Sequence, residues 1–473
     1  MRTYDNNRNP ILPPDIHIPD GEPHVMSDGK LYVYGSYDAD MENYCSGEYH
    51  VVSTPDGKHW TVHDTSFSAE DVPWILDPSA KRYGTAADWT HPTPFMMQMI
   101  QDMIKDMSPE QLEKMARQQV QGDATENEEG SWREGANQKR PLLFAPDCIE
   151  KDGNYYLYFC TESGMEGVAV SDRPEGPFRD PVRLPCGGID PAVFIDDDGQ
   201  AYYYWDQFFS SGVPLNEDMV SFDTEKVVKN LVTEEQHYFH EGSSMRKIGD
   251  TYYYIFADVE RGKPTALGYA TSDSPLGPFT YRGIIIDNAD CDPDSWNNHG
   301  SIACFNGQWI VCYHRSSRNS RMNRRLCMEK IRILEDGTIP EVKMTSQGLG
   351  DPFGPGERIE GYRVCGLRGN AFVGGPEGEA ERIVGICPGD EMMFRYLQGE
   401  PVYTELELES GGSGQLEVWL DDCLAAEISV CGEGKATVPL DLTGLERKDT
   451  GYEIRLVCRR AEKLEISGMR FLA

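Results

Sequence analysis

Five segments of the chain repeat one arrangement of polar and apolar positions: an acid or a His, a short apolar run, a turn with Gly, and a cluster of aromatic and β-branched residues. They read EPHVMSDGKLYVYGS, PDCIEKDGNYYLYF, IDPAVFIDDDGQAYYYWD, HEGSSMRKIGDTYYYIFA and NNHGSIACFNGQWIVCYH. Two strand-like runs on either side of a DG, GD or NG turn are the signature of a β-hairpin. Each segment therefore predicts a pair of antiparallel strands.

The spacing of these segments predicts a β-propeller. The leading polar residues of the last four segments follow one another at steps of 43, 51 and 58 residues, close to the roughly 40–50 residues of a four-stranded blade. Two near copies, GVAVSDRPEGPFRDP and LGYATSDSPLGPFTYRG, supply outer strands. Five blades in register place the leading residues at one end of a central channel, where we expect them to converge: Glu22, Asp147, Asp190, Glu241 and His299.

This all-β chain is predicted to consist of a propeller domain, a linker and a C-terminal domain. Residues 1–347 form the five-bladed propeller, interrupted near the first blade by a Met-rich stretch at about 94–122 that has the periodicity and N-cap signals of a helical hairpin. The Gly/Pro-rich residues 348–357 are a linker. Short alternating strands over 358–473 predict a C-terminal β-sandwich of jelly-roll type.

The net charge and the composition limit the classes of molecule that the protein is expected to bind. The formal net charge of −35 over 473 residues disfavours nucleic acid and anionic membranes, whereas a neutral substrate meets no such repulsion. The N-terminal residues lack the apolar core of a signal peptide, so a cytoplasmic location is expected. The 13 Cys show no metal-type spacing and are interpreted as reduced core residues.

Several acids and a His in one pocket are costly to assemble through like-charge repulsion, unless the pocket uses them. Any one of these acids could instead cap a turn by bonding backbone N–H groups. Their common register in a repeat favours a functional site. Two carboxyls that face each other across a pocket are what cleavage of a glycosidic bond requires, one as acid and the other as base or nucleophile.

The chain resembles the family 43 glycoside hydrolases, which are five-bladed propeller enzymes that remove pentose sugars from plant polysaccharides with inversion. The resemblance covers about residues 8–345 and is carried by NPILP, FAPD, IDPAVFIDDDG, HEGSSM, NHGS and CYHR. It implies that Glu241 is the general acid and that Asp147 modulates its pKa and orients it. The family's base is commonly an Asp before Pro; this chain departs from that pattern, and either Asp20 or Glu22 could take the role.

The same resemblance suggests residues around the reacting groups. His299 resembles an axial His that often lies near a bound calcium, with a metal-free structural His as the alternative. Arg315 resembles an Arg that contacts the sugar or the acids, and Asp190 a recurrent Asp for which a structural role is favoured. The candidates for stacking on a sugar ring, each of which could equally be core, are Trp89, Trp205 and Phe208.

These features predict a glycosidase that releases terminal β-D-xylose or α-L-arabinofuranose from xylan- or arabinan-derived oligosaccharides. No organic cofactor is expected, calcium is the candidate cation, and oligomerisation through the Met-rich hairpin is an open alternative. The C-terminal domain resembles, less specifically, family 6 carbohydrate-binding modules through VWLDD and ISGMRFL. Two rival functions are a non-catalytic sugar-binding propeller and a propeller glycosidase for another glycoside, such as a β-galactoside.

Overall fold

The computed structural model describes residues 1–40, 43–77, 97, 101, 141–292, 298–376 and 379–473. Trp89 and, apart from the helical positions 97 and 101, the predicted hairpin at 94–122 lie outside these residues. Within the described part, β-strands dominate. No helix there has the length and apolar character needed to cross a membrane.

Five antiparallel sheets form the blades of the propeller. Blade 1 has the order β1-β5-β4-β3-β2 and consists of β1 (Arg2–Asp5), β2 (Glu22–Val25), β3 (Leu31–Tyr34), β4 (Glu48–Thr54) and β5 (His59–Ser68). Blade 2 contains β6 (Leu143–Lys151), β7 (Asn154–Thr161), β8 (Met165–Ser171) and β9 (Arg179–Gly187). Blade 3 contains β10 (Ala192–Ile195), β11 (Ala201–Trp205) and β12 (Ser211–Pro214).

The last two blades follow a short helix, α1 (Glu234–His237). Blade 4 contains β13 (Phe239–Ile248), β14 (Thr251–Asp258), β15 (Ala266–Ser272) and β16 (Thr280–Ile286). Blade 5 contains β17 (Ser301–Phe305), β18 (Gln308–Ser317) and β19 (Ser320–Lys330). The five predicted hairpins are therefore confirmed as the two innermost strands of each blade.

The hairpin turns have the backbone that their sequences predict. In the turn between β6 and β7, Gly153 has φ +77°, and in the turn between β17 and β18, Gly307 has φ +78°. These left-handed conformations are easy for Gly because it has no Cβ. The turns therefore set the strand register that carries each leading residue to the channel.

Apolar clusters between neighbouring blades close the ring. Tyr203 of β11 packs toward blade 2, while its neighbour Tyr204 packs toward blade 4. Successive side chains of a strand point to opposite faces, and both faces of an inner blade strand are buried here. A cluster around Trp60 and Leu326 joins blade 5 to blade 1. Burial on both faces explains the continuous aromatic runs in the sequence.

A nine-stranded C-terminal sheet follows blade 5. It consists of β20 (Ile359–Glu360), β21 (Gly366–Arg368), β22 (Phe372–Gly374), β23 (Arg382–Val384), β24 (Glu391–Leu397), β25 (Glu405–Leu420), β26 (Cys423–Cys431), β27 (Gly434–Pro439) and β28 (Tyr452–Leu472). The long strands β25 and β28 pair along most of their length and fold the sheet into a sandwich around its own core. It contacts the propeller where Leu367 N donates to Asp290 O at 2.6 Å and Arg318 N donates to Val373 O at 2.7 Å.

Candidate active site

Four of the predicted site residues meet near the start of the innermost strands; we call Asp20, Asp190, Glu241 and His299 the axial cluster. His299 Nδ1 lies 3.7 Å from Asp20 Oδ1 and 3.8 Å from Asp190 Oδ2. All four side chains are buried. Blades 1, 3, 4 and 5 thus each contribute one polar group to the same place.

Glu241 reaches this place through an irregular stretch of β13. The register shifts on both sides of Glu241, and Gly242 has φ +78°. A Cβ at Gly242 would lie only 2.8 Å from His299 Cδ2, so the backbone of β13 rests directly on the His299 ring. Gln207 Nε2 donates a hydrogen bond to Glu241 Oε2 at 2.7 Å. Glu241 stays paired with Ala257 in the ladder, and the irregularities on either side of it bend β13 near the axis.

Burial lowers the pKa of His299, although the charges of Asp20 and Glu241 oppose this shift. His299 is therefore a neutral imidazole at neutral pH. A neutral ring can donate from one nitrogen and accept at the other. Its Nδ1 lies within 4 Å of two of the three carboxyls of the axial cluster, those of Asp20 and Asp190.

Asp20 is held as a carboxylate by several groups. Burial acts to raise its pKa, but Arg324 and His314 outweigh this effect and lower the pKa below its usual range. Arg324 Nη1 donates to both carboxylate oxygens at 2.9 and 3.0 Å, and Ser36 Oγ donates to Oδ2 at 2.6 Å. An ionised carboxylate beside the axis is suited to accept a proton from water.

Glu22 lies in a separate cluster with Arg246, His24 and Asp147, which we call the inner cluster. Arg246 Nη2 donates to Glu22 Oε1, and Ser244 Oγ donates to the same oxygen at 2.9 Å. Burial raises the pKa of Glu22, with Arg246 opposing and Asp147 adding to the shift. This ion pair joins blade 1 to blade 4. The structure therefore gives the two base candidates different environments.

Asp147 also belongs to the inner cluster. Its Oδ1 lies 2.7 Å from His24 Nε2 and accepts from Cys148 N at 2.6 Å, while Oδ2 accepts from Val193 N at 2.7 Å. Its carboxylate thus ties blade 2 to blades 1 and 3. Asp190, not Asp147, is the second carboxylate that lies within 4 Å of His299.

Arg315 does not reach the acids. Its guanidinium donates to Val364 O at 3.0 Å, to Thr345 O at 3.4 Å and to Cys327 Sγ at 3.0 Å, on the side of blade 5 that faces the C-terminal sandwich. The predicted contact with the acids is instead made by Arg324. The sequence offered only a run of arginines as a signal for it.

Arg324 also fixes a second acid and an aromatic ring. It donates from Nε and Nη2 to both oxygens of Asp38, at 3.0 and 2.8 Å. Its guanidinium carbon lies 4.0 Å from the ring centre of Tyr44, and its Nη1 donates to the Tyr44 hydroxyl at 2.8 Å. Burial raises the pKa of Tyr44, and the charges of both Asp20 and Glu241 act on it. Tyr44 is therefore a site residue that the sequence reading missed.

Trp205 and Phe208, the described candidates for stacking on a sugar ring, pack against other aromatic side chains. Trp205 is buried in the cluster between blades 2 and 3, where it stacks on Tyr203 at 5.4 Å and on Phe222 at 5.9 Å. The structure thus assigns it the core alternative. Phe208 is also buried and meets the ring of His240 edge-on at 5.3 Å.

One group in the described residues has the composition of a metal site. Ligand atoms of Glu22, His24 and Asp147 all lie within 4.8 Å of one another. Arg246 already neutralises Glu22 there, which weakens the case for a cation. His299 Nδ1 also lies 3.7 Å from Asp20 Oδ1 and 3.8 Å from Asp190 Oδ2, but these three residues are not a described group whose ligand atoms all lie within 4.8 Å of one another.

Known proteins resemble this chain in sequence. Residues 118–339 match the family model "Glycosyl hydrolases family 43". A "Xylosidase/arabinosidase" of Thermoclostridium stercorarium is 31% identical over 407 residues, which cover 76% of this chain and 72% of that protein. An "Arabinoxylan arabinofuranohydrolase" of Bacillus subtilis (strain 168) is 31% identical over 247 residues, 42% of this chain and 46% of that protein.

Solved structures extend the likeness to the fold. The β-xylosidase/α-arabinofuranosidase CoXyl43 from a compost microbial metagenome, solved with xylotriose, has a TM-score of 0.51 and 26% identity, and the match covers 72% of this chain and 99% of that one. An arabinoxylan arabinofuranohydrolase from Bacillus subtilis, solved with cellotetraose, has a TM-score of 0.51 and 21% identity over 99% of this chain and 97% of that one. The second match shows that a propeller followed by a β-sandwich is a known arrangement.

Proposed function

The chain belongs to glycosyl hydrolase family 43 and is a glycosidase; on that premise we propose that it releases terminal xylose or arabinofuranose from xylan- or arabinan-derived oligosaccharides with inversion. The observation that carries the proposal is the axial cluster, in which an ionised Asp20 lies 3.7 Å from the neutral ring of His299 and the backbone of Gly242, next to Glu241, packs on the same ring. The solved relative in complex with xylotriose supports an oligosaccharide substrate.

In this proposal Asp20 is the general base and Glu241 the general acid. Asp20 takes a proton from a water molecule, whose oxygen attacks the anomeric carbon. Glu241 gives its proton to the glycosidic oxygen as that bond breaks, so the shortened oligosaccharide leaves as an alcohol and the released sugar is a hemiacetal. Arg324 keeps Asp20 charged and oriented. We assign the base role to Asp20 because it lies 3.7 Å from His299 in the axial cluster, whereas the carboxylate of Glu22 lies in the inner cluster, paired with Arg246.

The residue that tunes the acid is proposed to be Asp190 instead of Asp147. A carboxylate beside a general acid favours the protonated form of that acid. Asp190 lies with the axial cluster, whereas both oxygens of Asp147 are used by the inner cluster and two backbone N–H groups.

Asp190→Asn is expected to move the alkaline limb of the kcat/KM–pH profile to lower pH by about 1 unit, because the acid loses a neighbouring negative charge and deprotonates sooner. Asp147→Asn is the matched control and should leave this limb in place while lowering the unfolding temperature. The profiles are measured with an aryl pentoside. If the alkaline limb moved in Asp147→Asn and not in Asp190→Asn, Asp147 would be the residue that tunes the acid.

The substrate class can be tested with a panel of aryl glycosides. Turnover is expected on the β-xyloside or the α-arabinofuranoside, with an anomeric product of inverted configuration seen by proton NMR. Turnover on the β-galactoside alone would favour the rival glycosidase. Binding of xylo-oligosaccharides without any turnover would favour the non-catalytic propeller.

We further propose that His299 and Asp190 can hold a hydrated calcium ion. Calcium takes six to eight oxygen ligands and these two residues supply one carboxylate and one nitrogen, so water would complete the shell. Removing divalent ions with EDTA is expected to lower kcat, and adding calcium to restore it. Unchanged kcat after EDTA treatment would contradict the calcium site. Carbohydrate binding by the C-terminal sandwich and the cytoplasmic location stay predictions.

A further inference from the structure

Two arginines stand directly opposite each other in blade 5, away from the axial cluster. Arg315 of β18 pairs with Arg325 of β19 in the strand register, so both side chains leave the same face of the sheet. Both are buried, with 5% and 3% of their surface exposed. Like charges at directly opposite positions repel each other, and burial removes the water that would screen them. A stable fold needs negative charge close to this pair.

The partners of these arginines among the described residues leave the pair incompletely compensated. Arg315 is bound by two carbonyl oxygens and a thiol, and none of these carries a negative charge. Arg325 Nη2 pairs with Glu381, but Nε and Nη1 of Arg325 are buried without a hydrogen-bond partner in the part of the chain that the structure describes. Buried N–H groups are seldom left in this state, and those of a cation are the most costly.

The nearby carboxylates do not remove the excess. Glu381 is shared between Arg325 and Arg318, whose Nε donates to it at 2.8 Å. Asp292 accepts from the backbone nitrogens of Asn319 and Val373 at 3.2 and 3.3 Å. Glu329 is a third carboxyl near Arg315, but burial raises the pKa of both Glu329 and Asp292 to about 7. The described carboxyls therefore do not carry three full negative charges at neutral pH, and the three arginines keep an excess of positive charge.

The other ionisable groups around the arginines leave this excess unchanged. Asp290 is paired with Arg368 at 2.8 Å. His17 is neutral, because burial and the nearby arginines lower its pKa to about 2.

The arginine pair borders a small cavity between blade 5 and the C-terminal sandwich. Arg315, Arg325 and Asp292 line it from the propeller, and Tyr362 and Val364 line it from the sandwich. Its volume is about 20 Å³, enough for one water molecule or one ion of similar size. Among the described residues, the cavity thus combines room for a single small species, unpaired cationic N–H groups and an excess of positive charge.

We propose that this cavity binds one small monovalent anion, for which chloride is the natural probe. The anion accepts hydrogen bonds from Arg325 Nε and Nη1 and lies between two guanidinium groups that otherwise repel each other. It neutralises the leftover charge and joins the propeller to the sandwich. This role is independent of the glycosidase reaction.

The test measures the unfolding temperature of the full chain at constant ionic strength while gluconate is replaced by chloride or bromide. Gluconate is too large for the cavity, so it controls for the general salt screening expected of a protein with a net charge of −35. A saturable rise of about 2 °C with either halide is expected. No difference between halide and gluconate would overturn the proposal and leave water as the occupant.

Substitutions of the arginines test whether the halide binds in this cavity. Arg325→Met is expected to abolish the halide-dependent rise. If that variant does not fold, Arg325→Lys keeps the charge but lacks the planar N–H groups and should weaken the halide response at least tenfold in concentration. Arg318→Met is the matched control, because it removes the other partner of Glu381 yet does not line the cavity. A bromide anomalous peak beside Arg325 in a crystal would support the site, and a full halide response in Arg325→Lys would contradict it.

Discussion

Glu241→Gln is expected to lower kcat/KM for an unactivated xylo-oligosaccharide by about 10³-fold, the scale of a lost general acid. The amide cannot donate the proton that the departing glycosidic oxygen requires. An aryl glycoside with a highly acidic phenol leaves without this proton and should lose much less activity. The measurement is the ratio of kcat/KM for the two substrates in the variant and in the unaltered enzyme.

This ratio separates loss of the acid from general damage to the site. A structural defect would lower both substrates alike, and that result would remove Glu241 from the acid role. Glu235→Gln is a matched control, since Glu235 is exposed on α1 only six residues earlier and should have no effect. Full activity of Glu241→Gln would refute the proposed mechanism outright.

Asp20→Asn is expected to lower kcat by about 10³-fold on every substrate, including those with good leaving groups, because water attack loses its base. The fold should tolerate the change, since Arg324 keeps its bidentate pair with Asp38. Azide, which can replace a missing base, should restore part of the rate. Circular dichroism and kcat with and without azide are the measurements.

Glu22→Gln is the variant to compare with Asp20→Asn. It removes the charge that pairs with Arg246 inside the protein, and breaking a buried ion pair from one side costs about 3 kcal/mol of unfolding free energy. We therefore expect a clear loss of stability with a much smaller change in kcat. If Glu22→Gln were inactive and rescued by azide while Asp20→Asn kept a near-normal kcat, Glu22 would be the base instead of Asp20.

The side-chain alternation of a strand did not predict the different positions of Asp20 and Glu22. Residues two apart on a strand share a side, which suggested that Asp20 and Glu22 point together. β2 begins only at Glu22, however, and Asp20 precedes it with φ +57°. The two-residue alternation does not extend across that left-handed residue. Asp20 therefore turns to Arg324 and His299, while Glu22 turns to Arg246.

The arginines of blade 5 illustrate a second limit. Residues 315–325 hold Arg315, Arg318, Arg321, Arg324 and Arg325. The family motif pointed to Arg315, but the turn at Arg318 and Asn319 and the register shift after Ser316 bring Arg324 to the acids. Nearly all of β18 and β19 is buried on both faces. No polar face exists in the sequence to tell which arginine points to the axis.

Trp205 was ambiguous for the same reason. An aromatic residue in a strand with two buried faces can pack on a neighbouring blade or line the channel, and its local pattern is identical in both cases. Its contacts with Tyr203 on the same strand and with Phe222 place it in the apolar cluster shared by blades 2 and 3.

The sequence by itself determined the blades, their order and the convergence of Glu241, Asp190 and His299 on one axis, because hairpin turns and a repeated register are local properties written into each segment. Only the tertiary structure decided which charges meet. The pairing of Asp20 with Arg324, of Glu22 with Arg246 and of Arg315 with Arg325 joins residues that lie apart in the chain or on different strands. Such contacts depend on how five blades close into a ring, and burial on both faces of the strands leaves no periodic signal from which they could be read.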